Sequence, residues 1–327
     1  MGVALAPVNG HGAGARLLEA GARELYLGFY DPAWTERFAG AALNRMSGFG
    51  AEANSLSFGE LLDEARALRA HDPAPRGLFC VFNAMAYTAA QHDYAARAYF
   101  APLAAAGFTG VILSDASLAY EAHAAGLEAV LSTMGAVCNA ELARYHRDAG
   151  LDRVILPRDL SLDEIAEVVA AVPDLSYEVF LMRNGCPFAD AHCMGFHRAG
   201  QPSLCRSLRA SCVERQVSGY VPQAARLEGP ARDAHALWAD RFHLNTCGLC
   251  ALWRFEQLGV DAYKVVGRGD DVDSLADDVE LVARNIEVAR SCGTEAAFLA
   301  AMERPEGLRV LCENDGLSCY YPEVRFG

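Results

Sequence analysis

The sequence predicts an α/β chain folded as a (β/α)8 TIM-barrel-like domain, with a cysteine-rich excursion after the seventh strand. Three observations carry this. Eight short apolar runs alternate with helical patterns along the chain. Such alternation means parallel strands joined by right-handed crossovers. A length of 327 residues suits one closed barrel of that strand number. An open doubly wound sheet is the alternative, weakened because no GxGxxG follows the first strand.

Residues 3–8 form the first apolar run, and His11-Gly12-Ala13-Gly14 leads into a helix reaching about Ala20. A second strand is expected over 24–29. The connection 31–57, which contains Asn44-Arg45-Met46, is too long for a plain turn, and loops of that length commonly serve as covers. A helix over 58–70 and a strand over 77–84, with Asn83 near its end, come next. Helices over 94–106, 118–125 and 140–149 then alternate with strands over 110–114, 128–133 and 153–158. Ser161 with Glu164 three residues on is a capping-box pattern opening a helix to about Val172. Strand 176–182, a helix beginning near Gly248 and strand 262–267 complete the set. Residues 1–305 are read as one barrel domain including the cysteine-rich segment 183–250, and residues 306–327 as a C-terminal tail.

The first fourteen residues lack a basic segment followed by a sustained apolar run, so no signal peptide is expected. No later run approaches the length of a membrane span. A cytoplasmic protein with reduced cysteines is the expectation, and the odd count of 11 cysteines argues against a closed disulfide framework. A net charge of −14 repels polyphosphate at long range, so nucleic acid is an unlikely partner on charge alone. The local trio Arg206, Arg209 and Arg215 reads as a solvated or anion-neutralising face.

Six of the 11 cysteines fall between Met182 and Cys250, which is most simply a demand for metal-binding sulfur. Soft thiolates select zinc, copper(I) or iron–sulfur clusters, and a [4Fe–4S] cluster takes four cysteines. The spacing of Cys186 and Cys193 lets one loop fold back so that both face one ion. Cys247 and Cys250 stand at a helix start, where the dipole lowers thiol pKa. Tetrahedral zinc fits such spacing as well. Cys205 and Cys250 stay open between ligation and packing, as do Cys312 and Cys319 in the tail. Cys80, Cys138 and Cys292 lie on apolar patterns and read as core. In a barrel the chemistry sits at the carboxyl ends of the strands. That position holds Asn83, Asp115, Thr133, Arg158, the segment after Met182, and Arg268, with the cations suited to a carboxylate or similar anion.

A set of short stretches carries a resemblance: Leu5-Ala6-Pro7, Tyr26-Leu27-Gly28, the Asn83 strand end, Ser132-Thr133, Leu160-Ser161-Leu162, Glu178-Val179-Phe180, Cys186 with Cys193, and Gly259-Val260-Asp261 leading to Lys264 and Gly267-Arg268. Together they resemble the U32 peptidase family, now associated with oxygen-independent hydroxylases that carry a [4Fe–4S] cluster. The resemblance implies cluster ligands at Cys186, Cys193, Cys212 and Cys247, with Cys205 an alternative to Cys212. With the strand-end reading it makes Arg158, Glu178, Lys264 and Arg268 candidate catalytic residues, and Asn83 and Thr133 candidate cofactor contacts.

Two departures from the family pattern stand out: Met182, where many members have a histidine shortly before the first cluster cysteine, and Val266, where a glutamate is usual. His192 and His197 are candidates to replace a missing proton-transfer group. Members divide between quinone biosynthesis and RNA hydroxylation. A short acidic chain points to a small organic substrate, with RNA hydroxylation, a noncatalytic cluster-bearing subunit of a U32 heterodimer, and a zinc-stabilised hydrolase or lyase as alternatives. The peptidase label finds no support in the residues, since HExxH, GxSxG and a protease-like cysteine–histidine pair are all missing.

Overall fold

The computed structural model describes residues 1–49, 54–186, 190, 246–305 and 319–324. Eight parallel strands close into a barrel in sequence order: β1 (Val3–Val8), β2 (Glu24–Leu27), β3 (Gly77–Phe82), β4 (Gly110–Leu113), β5 (Glu128–Leu131), β6 (Arg153–Ile155), β7 (Ser176–Met182) and β8 (Ala262–Val265). β1 closes the ring on β8 through Val3↔Ala262, Ala4↔Tyr263 and Leu5↔Lys264. This is the (β/α)8 barrel expected from the alternation. Strands β2 to β6 and β8 stop one to three residues before the expected ends, because the chain leaves the ladder there to build the loops at the barrel mouth.

The helices follow from local sequence. Helix α1 (Ala13–Glu19) precedes β2, and α2 (Pro32–Arg37) begins with proline at its first turn, where no N–H is needed. Helix α3 (Phe58–Arg69) opens on a capping box of Ser57 and Glu60. Helices α4 (Ala89–Ala95) and α5 (Ala101–Ala105) are joined by a π turn over Ala96–Phe100. Pro102 has no N–H to return to the carbonyl four residues back, and a π turn absorbs that gap. Helices α6 (Ala119–Ala124), α7 (Ala140–Asp148) and α8 (Leu162–Ala171) occupy their expected places, α8 with the Ser161–Glu164 capping box. Helix α9 (Leu252–Leu258) precedes β8. Beyond β8 run α10 (Val272–Ser291) and α11 (Glu295–Ala301). In α10 the buried Leu275, Val279, Val282, Ile286 and Ala289 recur every three or four residues and face the barrel.

The barrel interior carries charge as well as apolar side chains. Glu24 on β2 and Arg153 on β6 meet across it, with Nη1–Oε2 at 2.5 Å and Nη2–Oε1 at 3.1 Å, and both are buried. The Arg153 guanidinium also lies 4.9 Å from the centre of the Phe79 ring. Gly77 leaves room for this arrangement: a Cβ there would sit 2.6 Å from the Phe79 ring and 3.1 Å from Glu24 Cγ. Branched aliphatic layers usually fill this space. Here an ion pair does.

The expected cover over 31–57 contains α2 and a 3-10 turn, Arg45–Phe49. Its Asn44 is fully buried, and the Arg45 backbone N–H donates to Asn83 Oδ1 at 3.1 Å, which ties the segment to the end of β3. Of the cysteines expected in the core, Cys80 is buried and Cys292 half-buried, but Cys138 is exposed. The cause is local: Ala136 takes a left-handed conformation at φ 59°, and Asn139 caps α7, so Cys138 lies on the outside of that turn. No helix among the described residues is long and apolar enough to cross a membrane.

Replacing Arg153 by methionine leaves Glu24 buried without its main cation and is expected to cost about 3–5 kcal/mol, read as a lower urea midpoint. The double variant Glu24→Leu with Arg153→Met is expected to recover most of that loss.

Candidate functional site

The site grows from the end of β7. The β7–β8 register shifts between Phe180 and Met182, a bulge-like irregularity that turns the strand and frees the Leu181 carbonyl. Gly248 N–H donates to that carbonyl at 2.7 Å, and Met182 pairs antiparallel with Cys247. Cys247 pairs in turn with Cys319, and Tyr320 N–H donates to the Cys247 carbonyl at 2.9 Å. The last described residues, 319–324, therefore pack on the upper end of the barrel.

After β7 the chain passes through two consecutive left-handed residues, Arg183 at φ 64° and Asn184 at φ 52°. Non-glycine residues hold this conformation only where their surroundings impose it. Arg183 is buried, and its guanidinium is bound by Asp278 and Ser274 of α10, with Asp270 Oδ2 at 3.3 Å. Its N–H donates to the Thr246 carbonyl at 2.7 Å, and its carbonyl accepts from the Tyr320 hydroxyl. Gly185 N–H then donates to Thr246 Oγ1 at 3.1 Å. This framework delivers Cys186 to the mouth.

Cys186 is half-buried and Cys247 and Cys250 are buried. Cys186 lies within electrostatic reach of the Arg158 guanidinium, and the Leu249 N–H lies 3.5 Å from Cys247 Sγ. Both thiols lie within electrostatic reach of the Tyr320 phenol, whose pKa is raised chiefly by burial. An N–H beside Cys247 and a guanidinium near Cys186 are charges of the sign that an anionic sulfur-ligated cluster would need, so these two expected ligands fit such a group. Their expected co-ligands Cys193 and Cys212, with Cys205, Cys312, His192, His197 and the arginine trio, lie outside the described residues. Among the described residues no group of three or more His, Cys, Asp or Glu is placed to hold a metal ion.

The predicted cations converge on the same mouth. Arg158 lies 4.0 Å from the centre of the Phe180 ring, and its Nη1 is 3.1 Å from Asp190 Oδ1. Burial alone would lower its pKa, but Asp190, Tyr320 and Cys186 outweigh burial and raise it. Asp190 is buried and also faces Arg45 Nη1 at 3.9 Å.

Lys264 Nζ is 2.6 Å from Glu178 Oε1 and 3.7 Å from the Tyr26 ring centre, all three residues buried. Its pKa is lowered by burial, against the pull of Glu178 and with the push of Arg268 and Arg153. Glu178 is thus engaged by a cation rather than standing free. Arg268 reaches over Gly28 at the end of β2, with part of its surface open. Thr133 is buried at the first position of the 3-10 turn Thr133–Gly135, and Asn83 holds Arg45. Sequence reasoning missed Tyr26, Asn54, Arg183, Asp190 and Tyr320. Asn54 stood in the connection 31–57 and Arg183 and Asp190 in the cysteine-rich segment 183–250, but only Tyr26 stood in a stretch that carried the family resemblance.

The profile of peptidase family U32 matches residues 13–312. The chain belongs to peptidase family U32. Among curated relatives, this U32 chain is 24% identical over 242 residues to tRNA hydroxylation protein P1 of Bacillus subtilis (strain 168), covering 70% of this chain and 55% of that protein. It is 32% identical over 95 residues to tRNA hydroxylation protein P of Escherichia coli (strain K12), covering 28% of this chain and 21% of that one. The U32 chain therefore spans about half the length of the Bacillus relative. Among solved structures, the U32 peptidase Mk0906 superposes with a TM-score of 0.41 at 12% identity, over 55% of this chain and 69% of that one.

Tyr320→Phe removes the hydroxyl that holds the Arg183 carbonyl. It is expected to lower stability by about 1–3 kcal/mol and to speed alkylation of Cys186 by iodoacetamide, followed by peptide mass spectrometry. An unchanged labelling rate would show that the tyrosine does not set that turn.

Proposed function

We propose that this U32 chain is a [4Fe–4S]-dependent, oxygen-independent hydroxylase acting on a small organic substrate with an anionic group. The observation that carries the reading is the Arg158 guanidinium, paired with Asp190 and within electrostatic reach of Cys186 at the mouth of a barrel lined by further cations. Cys186 and Cys247 would hold the cluster together with Cys193 and Cys212. When bound, such a cluster supplies electron transfer or an exposed Lewis-acidic iron.

The protein's own groups have separable tasks. Arg158 places positive charge beside the sulfur ligands and, through Asp190, links them to Arg45. Glu178 and Lys264 form a closely held proton-bearing pair beneath the mouth. Burial lowers the Lys264 pKa and so eases proton release from its ammonium, while the Glu178 carboxylate 2.6 Å away holds that ammonium in place. Phe180, Tyr320 and Tyr321 give the cysteine side an apolar wall that limits water.

A second reading, hydroxylation of a tRNA, is favoured by the names of the relatives in Bacillus, Haemophilus and Escherichia. The charge-based expectation against nucleic acid gains no support from those relatives, because net charge constrains only the long-range field and a local basic path can override it.

Anaerobically purified protein is expected to contain iron and sulfide with a broad visible absorption that Cys186→Ala abolishes. Stoichiometric zinc without iron would overturn the cluster reading. On the same preparation, aromatic acids are expected to bind where bulk tRNA does not. Submicromolar, steeply salt-dependent tRNA binding with no response to the acids would select the second reading.

A further inference from the structure

Among the described residues, nearly every buried or half-buried cation of the barrel interior and mouth faces a carboxylate. Arg153 pairs with Glu24, Lys264 with Glu178, Arg158 with Asp190, and Arg183 with Asp278. Arg268 is the exception. Among the described residues, the charged or ionisable neighbours that act on it are Tyr26, Arg45 and Cys80, with no carboxylate among them. Its Nη1 is enclosed and has no hydrogen-bond partner among the described residues. Burial, reinforced by the like charge of Arg45, pushes its pKa down to about 10.

The surroundings of that guanidinium are shaped. Gly28 ends the β2 corner, and the place where its Cβ would stand is taken by Arg268 Nη1, with Asn54 Oδ1 at 2.6 Å and Asn44 Nδ2 at 3.4 Å. Asn54 is 4% exposed, and its Nδ2 is a second enclosed nitrogen without a hydrogen-bond partner among the described residues. Asn44 is fixed, donating to the Phe29 carbonyl at 3.3 Å and accepting from the Met46 N–H at 3.0 Å. Buried charge without a counter-ion is costly, and so is a buried amide without a partner. Both occur at one place.

We propose that Arg268, Asn54 and the Gly28 backbone form a subsite for the carboxylate of a small organic acid. A guanidinium fork matches a planar carboxylate through two parallel N–H···O bonds. The charge count favours a monoanion: Arg268 offers one uncompensated positive charge, whereas a phosphate dianion would bring a second negative charge toward Glu178 and Asp270, both of which act on the neighbouring Tyr26. Glycine at position 28 is then a requirement of the subsite, because any side chain would displace the guanidinium. The subsite deepens the small-molecule reading, and its test needs neither cluster nor turnover. Anaerobically purified protein that holds no iron yet binds the carboxylate would therefore overturn the cluster reading and leave the subsite standing.

The test is calorimetric titration of the full chain with benzoate, benzamide and inorganic phosphate. Benzoate is expected to bind saturably, with benzamide and phosphate weaker. Arg268→Gln and Gly28→Ala are each expected to weaken benzoate about tenfold or more. Asn54→Asp supplies an internal carboxylate, so it is expected to weaken benzoate similarly while keeping or raising the melting temperature, a result that misfolding cannot mimic. Equal binding of benzoate and benzamide, preference for phosphate, no benzoate binding, or wild-type affinity in Arg268→Gln would each overturn the proposal. So would a lowered melting temperature in Asn54→Asp.

Discussion

The buried guanidinium of Arg183 holds together three parts of the chain that have no other reason to meet. Its side chain is fastened to α10 and to the loop after β8, while its backbone is fastened to Thr246 and Tyr320. Two adjacent left-handed residues cost on the order of 1–3 kcal/mol each. Bonds to charged groups, worth about 1.5–3 kcal/mol apiece, are enough to impose them. The turn they enforce sends Cys186 toward the mouth rather than along the strand. Asp270, the acceptor on the β8 side, is two residues from Arg268. One residue therefore sets the position of the sulfur side of the mouth and borders its cationic side.

The interior explains why such ties are needed. A barrel filled with aliphatic layers closes on packing alone, but here Glu24, Arg153, Glu178 and Lys264 occupy interior positions and must be matched in pairs. Each pair joins strands across the ring or side by side, so charge satisfaction and barrel closure are one process. Tyr26 belongs to the same arrangement, its ring under the Lys264 ammonium and its hydroxyl donating to the Val265 carbonyl at 3.2 Å. Charge neutrality is nearly complete in this interior. That is why Arg268, without a carboxylate partner among the described residues, stands out as a place for something from solution.

Strand positions were legible because parallel strands buried on both faces read as apolar runs, and the turns between them carry glycine. Helix α8 was legible from its capping box, the mouth residues Arg158 and Arg268 from their places at strand ends, and Lys264 from the family resemblance. What sequence could not supply was partnership. Nothing near Arg183 in sequence announces Asp278 or Tyr320, and Asp190 reads as an ordinary loop acid until it is found between Arg158 and Arg45. Cys138 shows the opposite failure: an apolar neighbourhood in sequence placed it inside, and one left-handed residue put it outside. Local pattern fixes elements, whereas long-range electrostatics chooses which side chains the mouth keeps.

The tyrosines that finish this end of the barrel come late. Tyr320 and Tyr321 bond to Arg183 and Phe180 across 137 and 141 residues of chain. At roughly 5–20 residues per second, Cys186 leaves a ribosome on the order of ten seconds before its closing contacts exist. During translation the sulfur-bearing mouth is therefore open to delivery factors and to oxidants alike, and it shuts only once Tyr320 and Tyr321 have emerged.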